Sequence, residues 1–209
     1  MDITWIAWII LLVLSAYLAR KKILTFRVFL TGFIGPDIVF LVRLPLLYLV
    51  QLTCNELFNS SFSYIIDTSI KNILGFIYFY LAYKIFNRSK ERWQDSLALT
   101  VSFSIATLST DESMNLIVFL VWLNKTTYLI GLSNIALLAV KKKSPQYFIL
   151  GIIANILFIS ISRLLFATTI YGYFIFLTTL ILFLIFSIIL VWMTKNKLDK
   201  LIKDKEESL

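Results

Sequence analysis

The sequence predicts an all-α polytopic integral membrane protein with about seven transmembrane helices. The chain is 59% hydrophobic over 209 residues and its mean hydropathy is +0.86, whereas soluble domains are about 45–50% apolar. Apolar segments follow one another along the chain, and a helix needs about 20 such residues to cross the hydrocarbon core. We expect helices rather than a β-barrel, because the segments lack alternating hydrophobicity.

Seven apolar segments are candidates for membrane spans. They are about 4–19, 28–52, 63–86, 94–110, 114–140, 146–168 and 172–194. The outer turn between the fourth and fifth spans is expected at 109–113, because burial of both Asp111 and Glu112 in lipid would cost several kcal/mol. A turn at 123–127 is the alternative.

The basic residues predict the orientation of the chain. Sixteen of the twenty Lys and Arg residues lie after the first, third and fifth spans or in the tail, in groups of four, four, three and five. The predicted outer loops carry acidic residues instead. Because cytoplasmic loops carry the excess of Lys and Arg, we expect an outer N-terminus and a cytoplasmic C-terminus in the cell membrane.

The sequence divides into a transmembrane helical bundle over residues 1–194 and a charged, basic cytoplasmic tail over 195–209. The expected partners are the lipid bilayer, anionic lipid headgroups on the cytoplasmic side, and other membrane subunits or further copies of the chain. Nucleic acid is not expected, because the basic residues form short clusters between apolar runs. Asn59 begins a glycosylation triplet in a predicted outer loop.

Several kinds of chemistry are disfavoured by composition. The chain has no His, which removes the commonest general base and metal ligand. Its single cysteine, Cys54, cannot form an intramolecular disulfide or a thiolate cluster. We therefore predict no catalytic residue, no metal site and no cofactor.

Four basic residues do not contribute to orientation, and all four lie inside predicted spans: Arg43, Lys71, Lys125 and Arg163. At 1.5 Å per residue they lie about 13, 12, 16 and 8 Å from the outer ends of their helices. Asp67, Asp111 and Glu112 occupy the same outer zone, whereas Asp37 is expected alone in the inner half. Because charges within a membrane usually face the bundle interior or a wet cavity, the sequence predicts an outward-facing polar pocket or a set of interhelical salt bridges.

The expected partners within this zone follow from helical spacing. Asp67 and Lys71 are four residues apart and share a helix face, so they are the expected ion pair. Arg43 lies at a similar depth on the preceding helix and could share Asp67. Three asparagines are also expected as interhelical hydrogen-bond donors: Asn72, Asn134 and Asn155.

The second span is expected to be kinked or interrupted. Gly35 and Asp37 flank Pro36, and Pro45 follows two residues after Arg43. Each proline removes a backbone donor and clashes with the preceding turn. Carbonyls near positions 32 and 41 would then need partners, which Arg43 or water could supply. Such breaks line substrate sites in transporters and also occur as packing kinks.

Three classes of function are compatible with these features. The favoured one is a non-catalytic subunit or scaffold of a larger membrane complex, because six glycines in 209 residues are few for a protein with moving helices. The alternative is a small-solute, possibly anion, transporter or channel with a charged pocket around Arg43. The seven-helix layout is similar to that of SWEET sugar transporters and trimeric intracellular cation channels, in topology alone. A lipid-modifying enzyme is the least favoured class.

Overall fold

The computed structural model describes residues 4–21, 23, 25–53, 60–86, 93–108, 116–168 and 173–206. Within these ranges the chain is all-helical, which confirms the predicted fold class at that level. Seven helices are formed by the described residues: α1 (Thr4–Arg20), α2 (Phe26–Thr53), α3 (Ser60–Phe86), α4 (Trp93–Leu108), α5 (Leu116–Lys142), α6 (Pro145–Thr168) and α7 (Tyr173–Glu206).

Three of the helices contain segments that are long and apolar enough to cross a membrane. These segments are Phe26–Val50, Leu116–Lys142 and Ile175–Leu201. Their lengths of 25, 27 and 27 residues exceed the roughly 20 residues that a bilayer core requires. The chain is therefore a membrane protein by the length and composition of its helices.

Helix α5 decides between the two turns considered for residues 109–127. It runs without a break from Leu116 to Lys142, so a turn at 123–127 is wrong. The polar side chains of that stretch are accommodated within the helix bundle. The Asn124 amide donates to the Leu180 carbonyl at 3.2 Å, and the Thr127 hydroxyl donates to the Leu123 carbonyl at 2.8 Å. Residues 109–113 themselves lie outside the described residues.

Helix α5 is also the centre of the bundle. It packs against α3, α4, α6 and α7, and residues 131–139 are all buried. A helix that is buried around its whole circumference over this length must have neighbours on every side. Helix α1 lies at the periphery instead, where Ala7, Leu11 and Leu18 pack on the face of α4.

Helices α2 and α4 approach each other closely at Gly32. A Cβ atom added to Gly32 would lie 2.6 Å from the Leu99 carbonyl oxygen and 2.5 Å from the Ser102 Cβ. Neither contact can be relieved by rotating a flexible side chain, so only glycine allows this separation of the two backbones. The small residues of α4 contribute to it, since Ser102 bonds back to the Ala98 carbonyl at 2.9 Å rather than outward.

Helix α2 continues through both of its prolines, so of the two expectations for the second span, a kink or an interruption, the interruption is wrong. Pro36 and Pro45 both lie inside the single helix Phe26–Thr53. Helix α3 contacts the turn before Pro36, where the Tyr78 hydroxyl donates to the Thr31 carbonyl.

Helix α7 extends past residue 194 as one continuous helix to Glu206. Its end packs against the rest of the bundle, since Leu198 is 0% exposed and belongs to the main core cluster. The Lys195 ammonium lies 4.9 Å from the centroid of the Trp93 ring, a distance suited to a cation–π contact. The first part of the predicted tail is therefore packed against other helices of the bundle.

Candidate functional site

A cavity of about 460 Å³ lies among the helices that carry the charged residues singled out by the sequence. Helices α2 to α6 all contribute residues to its wall. Its volume is within the range of about 300–1,000 Å³ that small-molecule sites occupy. Three of the four basic residues inside the predicted spans line it, namely Arg43, Lys71 and Lys125.

Each helix presents one face to the cavity. On α2 this face is Pro36, Phe40 and Arg43, and on α5 it includes Lys125 and Leu132. Spacings of three, four and seven residues place side chains on one side of an α-helix. The charged residues therefore share their helix faces with apolar ones, and the cavity is a mainly apolar chamber with a few polar groups.

Arg43 is joined to Asp67 by a two-point ion pair between α2 and α3. The Nε and Nη2 atoms of Arg43 donate to the two carboxylate oxygens of Asp67. The side chains are only 20% and 27% exposed, so the pair is screened less than an ion pair at a surface. This two-point geometry is the strongest arrangement available to a guanidinium and a carboxylate.

The pairing corrects one expectation from the sequence. Asp67 bonds to Arg43 across the helix interface, and among the described residues it forms no ion pair with Lys71. Lys71 is instead exposed at the cavity wall. The reason is geometric, because a guanidinium engages both carboxylate oxygens at once whereas an ammonium acts as a point charge.

Asp37 is the carboxylate that lines the cavity from α2. Its side chain is exposed although it lies near the middle of a long apolar helix. No described basic group lies within ion-pair distance of Asp37. Within a membrane, a charged side chain in this position is stable only when it faces water or an opposite charge, and the cavity is the space that it faces.

Two asparagines add polar atoms to the wall. Asn155 is fully buried and donates its amide to the Gly151 carbonyl of its own helix at 2.9 Å. In the described part of the chain, neither the Asn155 Oδ1 nor the Asn72 Nδ2 has a hydrogen-bond partner. Both atoms are covered by neighbouring protein atoms, so they are unpaired polar atoms behind the surface of the cavity and not groups that a ligand contacts directly.

The expectation that three asparagines bond between helices holds for one of them. Asn134 on α5 donates to the Thr194 hydroxyl on α7 at 3.1 Å. Asn155 bonds within its own helix, and the Asn72 Nδ2 has no hydrogen-bond partner in the described part of the chain. The exceptions are therefore the two that line the cavity.

Two cross-helix contacts show that α2 and α3 are antiparallel and establish their register. Arg43 pairs with Asp67, and the Thr31 carbonyl accepts from Tyr78, so residue numbers rise on one helix as they fall on the other. At 1.5 Å per residue, Asp37 lies about 9 Å from the level of the ion pair along α2, and Lys71 lies about 6 Å from it along α3. Because the two helices are antiparallel, both residues lie on the same side of the ion pair. Their backbones thus differ in level by only about 3 Å.

Lys125 lies near the same level. The Tyr83 hydroxyl on α3 bonds to the Ser133 hydroxyl on α5, so these two residues lie at one level. On both helices the residues that line the cavity precede this contact in sequence. Lys125 lies about 12 Å before Ser133 along α5, and Gly75 lies about 12 Å before Tyr83 along α3, so Lys125 and Gly75 are at about the same level. Asp37 is therefore bracketed in depth by Lys71 and Lys125, each within about 3 Å of its level.

Gly75 lies at the level of Lys125 and leaves the cavity open. A Cβ added there would meet no atom within 4 Å, unlike those at the other described glycines. Sequence reasoning missed Gly75 as a cavity residue. The available signal was its position four residues after Lys71, on the same face of α3.

The remaining predicted site residues do not join this group in the described part of the chain. Asp111 and Glu112 lie outside the described residues, and so does the side chain of Arg163 on α6. Gly35 packs against the Phe103 and Tyr78 rings. Pro45 is exposed on α2, beyond the cavity wall.

Comparison with known proteins identifies no relative. No protein-family model matches the chain, and neither a curated protein nor a solved structure matches it.

Proposed function

We propose that this chain is a multi-spanning membrane protein that binds a small anionic solute in the cavity and carries it across the membrane. The observation that carries the proposal is the convergence of Arg43, Lys71 and Lys125 from three helices on one cavity. This is the second of the three classes that the sequence allows. Long charged side chains that served only orientation would point to the lipid headgroups instead.

The basic groups of the wall support an anion. Three basic residues and one acidic residue, Asp37, are the charged residues that line the cavity. Arg43 is paired with Asp67, whereas Lys71 forms no ion pair in the described part of the chain. A low-dielectric wall strengthens the attraction of such a site for a negative solute compared with the same charges at a protein surface.

The proposal includes a membrane topology, and this topology determines the side from which the solute enters the cavity. All seven helices would span the membrane with the N-terminus outside, and the Arg43–Asp67 pair would lie in the outer half. The cavity would then receive its solute from the outer side. Support comes from the basic inner ends, where Lys142, Lys195 and Lys197 lie near aromatic rings of neighbouring helices.

Solute uptake into proteoliposomes tests the proposal. We expect the purified protein to accumulate one or more small carboxylate or phosphate compounds, and Lys71→Gln to reduce that uptake by about tenfold or more, because a charge-assisted hydrogen bond is lost. Lys84→Gln is the matched control, since Lys84 is exposed on the same helix and does not line the cavity. Equal loss in both variants, or no uptake of any anion by the wild type, would refute the proposal.

The subunit or scaffold class stays a prediction. It would be favoured by fixed partners that co-purify with the chain after gentle solubilisation. The same preparation, tested for anion uptake without those partners, separates the two classes.

A further inference from the structure

The cavity wall carries opposite charges at one depth that are not joined to each other. Lys71 and Asp37 both line the cavity, and their backbones lie within about 3 Å of the same level. Both side chains are exposed, and no ion pair joins them in the described part of the chain. Two opposite charges that face one chamber without contact can each bind a different group of the same ligand.

The two charges favour a ligand with two charged ends. A plain anion would satisfy the Lys71 ammonium and would leave the Asp37 carboxylate without a partner. A plain cation would do the reverse. A ligand that carries both charges satisfies both groups.

We infer that the ligand is a small anion that also carries an ammonium group, such as an acidic amino acid or an aminoalkyl phosphate. Its acidic group binds Lys71, and its ammonium group binds Asp37. The inference rests on the proposed function, because it assigns a substrate class to the same cavity.

The volume of the cavity and the mixed apolar and charged character of its wall fit this class of ligand. About 460 Å³ is ample for a solute of roughly ten heavy atoms. Phe40, Leu129 and Leu132 provide apolar surface beside the charged groups, which suits the short hydrocarbon chain that joins the two ends of such a solute. A cavity for inorganic phosphate alone would need neither this apolar surface nor a carboxylate.

Matched solute pairs test the inference. Thermal unfolding of the purified protein in detergent is measured in the presence of each compound, and the apparent affinity is obtained from the rise in Tm. Glutamate is compared with glutarate, and phosphoethanolamine is compared with ethyl phosphate. We expect each amino compound to bind at least tenfold more tightly than its partner without the amino group, because a charge-assisted hydrogen bond is worth about that factor.

Asp37→Asn is the decisive variant. It should remove the preference for the amino compound while it keeps the binding of the compound without the amino group, because the anion site at Lys71 is intact. Asp199→Asn, on an exposed position of α7, is the control and should keep the preference. Lys71→Gln should weaken both members of each pair.

The outcomes separate the inference from the proposed function. If simple anions bind as tightly as amino anions in the wild type, the inference fails while an anion-binding cavity stands. If no anion of either kind changes the Tm, both fail. Nanodiscs of phosphatidylethanolamine and of phosphatidylglycerol identify the source of the ligand. Stabilisation by the first lipid alone, lost in Asp37→Asn, would support a lipid headgroup, with its phosphate and ammonium groups, as the ligand, whereas a response only to the soluble compounds would support a free solute.

Discussion

Arg43 on α2 and Asp67 on α3 form a two-point ion pair at the edge of the cavity. The pair joins two antiparallel helices and neutralises the one carboxylate that could otherwise have engaged Lys71 from the same helix. It thereby leaves the Lys71 ammonium exposed at the cavity wall. The ion pair is a structural element that shapes the charge of the site.

The energetic coupling of this pair can be measured with a double-mutant cycle. Arg43→Gln and Asp67→Asn should each lower the free energy of unfolding by about 1–3 kcal/mol, because each leaves a partly buried charge without its partner. The double variant should lose less than the sum, with a coupling of about 1–2 kcal/mol. Denaturant unfolding in detergent measures all four proteins. Strictly additive losses would show that the pair contributes nothing as a pair.

The two glycines Gly32 and Gly75 should respond in opposite ways to alanine. Gly32→Ala should destabilise the protein by about 1–3 kcal/mol, because the added methyl group overlaps the Leu99 backbone of α4. Gly75→Ala should be neutral or stabilising by up to about 1 kcal/mol, because its methyl group enters open space and alanine favours the helix. Thermal unfolding of the two variants side by side provides the comparison. A larger loss at Gly75 would mean that the cavity is closed at that point.

The docked end of α7 should contribute to stability. Leu198→Ala should cost about 2–4 kcal/mol, because the leucine side chain is fully buried in the main core. Lys200→Ala is the control, two residues away and exposed, and should change the stability by less than about 0.5 kcal/mol. Unfolding curves that leave Leu198→Ala unchanged would indicate a free tail instead of a docked helix.

The proposed topology can be tested with the single native cysteine. A membrane-impermeant maleimide should label Cys54 in intact cells, because the sequence places it in an outer loop. A Cys54→Ser, Ser208→Cys variant should react only after the membrane is permeabilised, since its cysteine lies in the predicted cytoplasmic tail. Labelling of Ser208→Cys in intact cells, with Cys54 protected, would reverse the orientation.

Much of the site could be anticipated from sequence because charges are rare inside apolar spans. Depth estimates at 1.5 Å per residue were enough to place Arg43, Lys71 and Lys125 in one zone, and all three line the same cavity. Helix boundaries followed from the lengths of the apolar runs. The turn between α4 and α5 followed from the cost of burying two adjacent carboxylates.

The partner of Asp67 was harder to anticipate from sequence. Spacing along one helix favours Lys71, whereas the actual partner, Arg43, depends on the register of α2 against α3. That register depends on contacts between α2 and α3, such as the Tyr78 hydroxyl on the Thr31 carbonyl, which no periodicity encodes. The continuity of α2 through Pro36 could not be predicted either, because a proline inside an apolar span is compatible with a break, a kink or a continuous helix.

The central claim is that a small anion enters the cavity between α2 and α6, and Gly75 provides the most direct test. Uptake of the best anion into proteoliposomes is compared for wild type, Gly75→Ala and Gly75→Leu, with folding verified by thermal unfolding. We predict near wild-type uptake for Gly75→Ala and loss of uptake for a folded Gly75→Leu, whose larger side chain fills the open space at that position. Wild-type uptake by a folded Gly75→Leu would contradict the account.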